Sequence, residues 1–345
     1  MKWILKYYCI LLIGHILRSF FSLYPIRKRN VIFISFDGNK VSCNPYYIYQ
    51  YLLDRNEYEM FWVLKNKECR YKIPEDRIII KKGFLYYKMM LTAGFIITND
   101  RIASYFIFRK GQIIINTWHG GGAFKRTFGY PKGIMKWYNN KITSLDSKRT
   151  TLFLSSSRMW TEVIARKSFL YKGDVLSSGF PRNDIFFHNN NLKTIVRKKL
   201  NISEEYNVIL YAPTYRGNAM SGSLGKTSLV PLDINKLKEA WLRRNGRKCV
   251  VLFRGHHTMR NGISLSDTID VSNYPDMQEL LLLADGLISD YSSCMWDFAL
   301  TKKPCFIYAP DFEDYLRNPG FESNYREWPF FVCKDNDTLI HTIVR

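Results

Sequence analysis

Short apolar runs alternate along this chain with longer segments of mixed polarity. Residues 31–36 (Val-Ile-Phe-Ile-Ser-Phe), 60–64, 77–80, 95–98, 111–117, 152–155 and 174–177 have the length and composition of strands in a buried parallel sheet. Residues 45–53 and 84–92 predict helices between them, and Pro45 suits a first helical turn. Residues 188–200 are polar and basic, carry an Asn run, and read as the region joining two domains. The pattern then restarts, with strands at 207–211, 248–253, 286–289 and 305–308 and helices at 233–244, 277–284 and 295–300. Alternation of strand and helix argues for parallel sheets. The expected fold class is α/β, with two Rossmann-like doubly wound domains (residues 30–190 and 200–345) and a cleft between them.

Ahead of the first strand, residues 3–23 are apolar and aromatic, interrupted by Lys6, His15 and Arg18. The stretch between Lys6 and Arg18 is short for a span of about twenty residues. A signal peptide would leave a small-residue cleavage site, and none follows cleanly. Residues 1–29 are therefore expected to be a membrane-associating helix lying in the interface. Trp3, Tyr7, Tyr8 and Phe20 would sit at headgroup level, and Arg27-Lys28-Arg29 would meet anionic lipid. A helix packed on its own domain is the alternative. The expected location is the cytoplasmic face of the membrane, peripheral.

The 345 residues carry a formal net charge of +21, which calls for an anionic partner such as nucleic acid, an anionic membrane surface or a phosphate-rich substrate. The basic residues are spread out, with no zinc-finger spacing and no RNP-type aromatic motif, so no nucleic acid is expected. Seven scattered cysteines without a C-x-x-C pair fit buried free thiols rather than a disulfide framework or a zinc site.

The candidate chemistry gathers where predicted strands end. Gly286 to Ser289 runs into Asp290-Tyr291-Ser292-Ser293 and then a helical segment, and hydroxyls beside free N–H groups at a helix start suit an anion. Trp118-His119-Gly120-Gly121-Gly122 makes a similar transition upstream. His119 there suits a general base, and the glycines let backbone approach a ligand. Lys125 and Arg126 could add charge to the same place. In Gly179-Phe180-Pro181-Arg182-Asn183-Asp184, Arg182 could form a forked phosphate contact, while capping alone explains Asn183 and Asp184. Thr214 and Arg216 follow one strand of the second half. Arg254 and His256 follow the next and share a face in extended backbone, which suits a pyrophosphate. Gly225-Lys226-Thr227 mimics the end of a P-loop, but Met220 stands where its earlier Gly belongs. With no D-x-D at a strand end, neither a metal nor a cofactor is expected.

These residues in this order resemble the CDP-glycerol glycerophosphotransferase family of teichoic-acid synthesis. Ser35-Phe36, Gly38, Lys40 and Asn44-Pro45 resemble its first strand and loop, Thr117-Trp118-His119-Gly120 its T-W-H-G, and Gly179 to Asp184 its G-x-P-R-N-D. Tyr211-Ala212-Pro213-Thr214 with Arg216 resembles its Y-A-P-T-x-R, and Arg254 with His256 its R-x-H. Asp270-Val271-Ser272, Asp285 and Asp290 to Ser293 match its carboxyl-terminal block. The resemblance implies a glycosyltransferase-B type fold and transfer of glycerol phosphate from CDP-glycerol, with release of CMP. The acceptor would be a hydroxyl of a membrane-linked, lipid-linked glycan or polyol phosphate, in teichoic acid or capsule synthesis. It implies that His119 and His256 are catalytic. Gly120, Arg182, Asn183, Thr214, Arg216, Arg254, Asp290, Ser292 and Ser293 are the expected substrate-binding positions. Related members transfer ribitol phosphate, so CDP-ribitol is an alternative donor. Gly121-Gly122 replaces the family's common Thr-Pro and leaves the acceptor open. The rivals are a nucleotide-sugar glycosyltransferase of the same fold and a non-enzymatic membrane-surface adaptor.

Overall fold

The computed structural model describes residues 2–69, 73–120, 132–188, 191–214, 232–255, 266–317 and 320–345. The chain divides into two compact units, the first ending at Arg182 and the second beginning at Asn183.

Among the described residues the first unit holds a seven-stranded sheet. Its strands are β1 (Arg27–Ile34), β2 (Glu59–Leu64), β3 (Ile78–Ile80), β4 (Ala93–Thr98), β5 (Ile113–Asn116), β6 (Leu152–Leu154) and β7 (Asp174–Leu176). They lie in the order β3-β2-β1-β4-β5-β6-β7, all parallel. Successive strand residues point to opposite faces, so Ile32 and Ile34 enter one core while Val31 and Phe33 enter the other. Phe33 stacks on Trp62 at 5.3 Å in the second of these.

Helix α1 (Lys2–Phe21) precedes β1, and α2 (Cys43–Leu53), α3 (Phe84–Thr92) and α4 (Gly133–Arg149) connect strands. After β6 comes a short turn, α5 (Arg158–Trp160), that continues as a π-helical stretch, Thr161–Ser168. Helix α4 falls where the sequence pattern predicts no element. Its residues are mostly polar, and only Ile142, Thr143 and Asp146 are buried.

Helix α1 is long and apolar enough to cross a membrane by length and composition alone. It packs along one side through positions spaced three and four apart. Trp3 meets Tyr138 (4.9 Å), Tyr7 meets Trp137 (5.5 Å), and Phe21 meets Phe84 (5.5 Å). At Gly14 an added Cβ would stand 2.5 Å from the Tyr105 carbonyl oxygen, so only glycine permits this approach. Trp3 and Tyr7 therefore turn toward α4, contrary to the headgroup positions expected of them. Tyr8 and Phe20 stay exposed, together with Leu5, Leu12, Ile16 and Leu23. The helix is apolar on both sides, and the fold buries only one.

The second unit repeats the topology. Strands β8 (Asn207–Ala212), β9 (Cys249–Phe253), β10 (Ile269–Asp270), β11 (Gly286–Ser289), β12 (Cys305–Tyr308) and β13 (Phe331–Cys333) lie in the order β10-β9-β8-β11-β12-β13, all parallel. Leu210, Leu252 and Leu287 enter one core, and their neighbours Ile209, Val251 and Ile288 the other. Helices α6 (Leu192–Lys199), α7 (Ile234–Asn245), α8 (Met277–Leu283), α9 (Cys294–Ala299), α10 (Phe312–Arg317) and α11 (Asn336–Val344) complete it.

Helix α6 occupies the segment read as a joining region. It buries Val196 and Arg197, and Arg197 donates to the carbonyls of Ser203 and Tyr206. Asp285 accepts from the Val208 N–H and pairs with Lys193 and Lys303. Burial alone would raise the pKa of that carboxyl, but these donors outweigh it and hold it below the ordinary carboxylate value. Asp285 thus joins α6 to the strand core.

Candidate active site

In both sheets the strand order reverses next to the first strand, between β1 and β4 and between β8 and β11. In sheets of this kind ligands bind outside the carboxyl ends of the strands at the reversal.

In the first unit the Phe36 N–H, just after β1, donates to Asn99 Oδ1, just after β4, at 2.8 Å. Phe36 and Asp37 turn through left-handed backbone, φ 47° and 58°. Asn99 is fully buried, and its carbonyl meets His119 Nδ1 at 2.7 Å. A carbonyl only accepts, so Nδ1 carries the hydrogen and the neutral ring keeps its lone pair on Nε2. Burial lowers the imidazole pKa, outweighing the Asn99 carbonyl and Asp100, which raise it; Arg182 lowers it a little further. Burial therefore favours the neutral ring, and the Asn99 contact defines its basic nitrogen.

The loop carrying His119 is fixed by four successive carbonyls. Asn44 Nδ2 donates to Thr117 O (3.3 Å) and Trp118 O (3.0 Å), Arg182 Nη1 to His119 O (2.7 Å), and Trp160 Nε1 to Gly120 O (2.8 Å). All three donor side chains are buried. Asn44 Oδ1 also accepts from the Arg182 N–H (3.2 Å), so Asn44 and Arg182 brace one another. This cage compensates for left-handed backbone at Trp118, φ 50°, which is uncommon for a bulky residue. Arg182, read from the sequence as a forked phosphate contact, is 5% exposed, and its Nη1 also reaches Cys43 Sγ. It positions His119.

In the second unit the equivalent tie joins the ends of β8 and β11. Both carboxylate oxygens of Asp290 accept from the Thr214 N–H (3.0 and 2.9 Å), and Oδ1 also accepts from the Tyr291 N–H (2.6 Å). Asp290 is 1% exposed. Its charge faces backbone donors, so it orders Thr214 rather than repelling an anion nearby. Asn183 donates to Asp297 (2.9 Å) and accepts from Gln278 (3.0 Å) in a buried polar joint, which gives it a positioning role.

Arg254, just after β9, donates through Nη1 to Tyr274 O (2.9 Å) and Val271 O (3.3 Å). Burial lowers its pKa while Asp276 raises it. Ser272 Oγ accepts from the Gly255 N–H (2.9 Å), which accounts for the Asp270-Val271-Ser272 motif as a brace for this loop. Ser292 and Ser293 are half-buried ahead of α9. Ser292 Oγ receives the Cys294 N–H at 3.4 Å, whereas Ser293 makes no side-chain cap. His256, Arg216, Lys125, Arg126 and Gly121-Gly122 lie outside the described residues, as does Gly225-Lys226-Thr227. No group of three or more His, Cys, Asp or Glu gathers as a metal site among the described residues.

Sequence reasoning did not find Asn99, Trp160, Gln278 and Asp297. Thr98-Asn99-Asp100 at the end of a predicted strand was the available signal for Asn99. Nothing local distinguishes the other three, because their partners lie far away in the chain.

Residues 16–345 match the family described as CDP-glycerol:poly(glycerophosphate) glycerophosphotransferase. The chain is 30% identical over 343 residues to a teichoic acid poly(glycerol phosphate) polymerase of Bacillus subtilis, covering 93% of this chain and 44% of that one. It is 29% identical over 335 residues to a teichoic acid ribitol-phosphate polymerase of Staphylococcus aureus, covering 93% of this chain and 57% of that one. The chain thus spans about half the length of these relatives. A structure of the wall teichoic acid polymerase TagF with CDPG is similar at a TM-score of 0.80 and 28% identity, over 100% of this chain and 88% of that one.

Proposed function

Since this chain belongs to the CDP-glycerol:poly(glycerophosphate) glycerophosphotransferase family, we propose that it transfers glycerol phosphate from CDP-glycerol to a hydroxyl of a membrane-linked glycan or polyol-phosphate acceptor, releasing CMP. The observation that carries this reading is His119, held as one tautomer by the Asn99 carbonyl at the carboxyl end of a parallel sheet. The acceptor oxygen attacks the phosphorus that bears the glycerol. Nε2 takes the hydroxyl proton, and the bond from that phosphorus to the bridging oxygen breaks with its electron pair leaving on CMP. Arg254, Ser292 and Ser293, with Arg216 and His256, hold the donor phosphates and stabilise the departing charge. Asp290 and Asn183 keep the loops of the second unit in place for them. The two doubly wound units support assignment to the glycosyltransferase-B type. The protein acts from the cytoplasmic face of the membrane, and the exposed apolar side of α1 supports peripheral attachment there.

Purified full-length protein is expected to release CMP from CDP-glycerol in the presence of a membrane extract, and not to release nucleotide from UDP-sugars. Release from CDP-ribitol alone would favour the second reading, ribitol-phosphate transfer, which the similarity to a ribitol-phosphate polymerase supports. Tight UDP-sugar binding without CMP release would replace both with glycosyl transfer.

The pH profile follows from the histidine. Its pKa is lowered, so the basic form persists below the ordinary value of about 6.5. The acid limb of kcat/KM is expected to fall below that value, as protonation removes the Nε2 lone pair. A limb centred clearly above 6.5 would assign the essential base to another group.

A further inference from the structure

A cavity of about 390 Å³ opens in the first unit beside the amino ends of β5 and β6, where Ile114 and Thr151 line it. His119 follows the carboxyl end of β5, so the two lie at opposite edges of the sheet. The volume falls within the ordinary range of ligand pockets, about 300–1,000 Å³. Leu11 of α1, Ile107 and Phe108 of the loop before β5, and Leu145 of α4 supply apolar wall. Lys110 and Lys148 also line it, and none of its lining residues is acidic.

The cationic groups around the cavity have two different roles. Arg109 Nη1 donates to Phe21 O (3.1 Å) and Tyr24 O (2.7 Å), tying down the end of α1. Arg149 Nη1 donates to Ala103 O and Phe106 O, both at 3.0 Å, and orders the loop. These guanidiniums build the wall. Lys110 and Lys148 are exposed, and neither makes a hydrogen bond or ion pair with its side chain among the described residues. Leu11 continues directly into the exposed side of α1 through Leu12 and Ile16. An apolar wall that joins a surface helix, beside two unengaged ammonium groups, suits a ligand with an acyl chain and an anionic head.

We propose that this cavity binds one anionic phospholipid, with its phosphate held by Lys110 and Lys148 and the start of its acyl chain along Leu11 and Phe108. The proposal rests on the reading of α1 as a membrane-surface helix, and it adds a lipid-selective site to that attachment.

The test is titration of the full chain with dihexanoyl phosphatidylglycerol below its micelle-forming concentration, followed by calorimetry. Saturable binding at one site is expected, with at least tenfold weaker binding of dihexanoyl phosphatidylcholine. Lys110→Gln with Lys148→Gln is expected to remove that preference. Lys198→Gln with Lys302→Gln removes the same charge from exposed positions of the second unit and is expected to leave it unchanged. Equal affinity for the two lipids, equal losses in the two double variants, or inorganic phosphate binding as tightly as the lipid would each overturn the proposal. Flotation with phosphatidylcholine vesicles reads the α1 attachment separately. Flotation without any phosphatidylglycerol preference sinks the lipid site and keeps the attachment. Binding of the short-chain lipid without flotation on vesicles of either composition upholds the site and sinks the attachment.

Discussion

Replacing His119 by alanine is expected to lower turnover by about 10²–10⁴-fold, the usual worth of a positioned general base, while CDP-glycerol binding changes little. The ring is the only part of the residue that would take the proton. Its carbonyl contact with Arg182 survives the substitution, so the loop keeps its backbone support. Two features set the size of the effect. The Nδ1–H to Asn99 bond makes Nε2 the accepting nitrogen, and burial lowers the pKa in favour of its unprotonated form. Measuring CMP release and donor affinity on the same preparation separates the outcomes. Loss of turnover alone supports the base. Parallel loss of donor affinity would make His119 a binding residue, and unchanged turnover would remove it from the chemistry.

Trp160→Ala is expected to cost about 3–5 kcal/mol of stability, as truncation of a fully buried tryptophan does. Trp160 is 0% exposed and packs against Phe153 at 5.6 Å and Phe180 at 6.0 Å. The more telling variant is Trp160→Phe. It keeps aromatic packing and deletes the Nε1–H bond to Gly120 O, a loss of about 0.5–1.5 kcal/mol. Loop misplacement beside a catalytic group can cost up to about 10²-fold in rate, so CMP release should fall further than stability does. Urea unfolding read beside the release assay checks both. A phenylalanine variant with full activity would show that the His119 loop stands without this support.

The helices that the sequence hid are short or mostly polar. Helix α11 has nine residues and pairs Leu339 with Ile343, and α6 has eight and pairs Leu192 with Val196, so each apolar face is barely two turns long. Helix α4 meets α1 through Trp137 and Tyr138, and its polar sequence makes sense only beside that partner. The apolar strand runs and α3 were the most legible elements. The predicted bounds of α3, β11 and β12 coincide with those observed, and most other strands end within a residue or two of their predicted ends.

The α/β class, the parallel strands, the placing of motifs after strand ends and the family resemblance were all legible in the order of residues. A parallel strand covered on both faces must be an apolar run, and the loop after it must carry whatever meets a ligand. The contacts those motif residues make came from the folded arrangement. Arg182 and Asn44 stand 138 positions apart, yet together they clamp the backbone around His119. Asp290, beside Ser292 and Ser293 in the chain, closes the gap to Thr214 across the strand reversal. A hydrogen bond depends on the position and direction of both partners, and residue identity states only that a group can donate or accept. Which carbonyl His119 meets, and hence which of its nitrogens keeps the lone pair, was set by the fold.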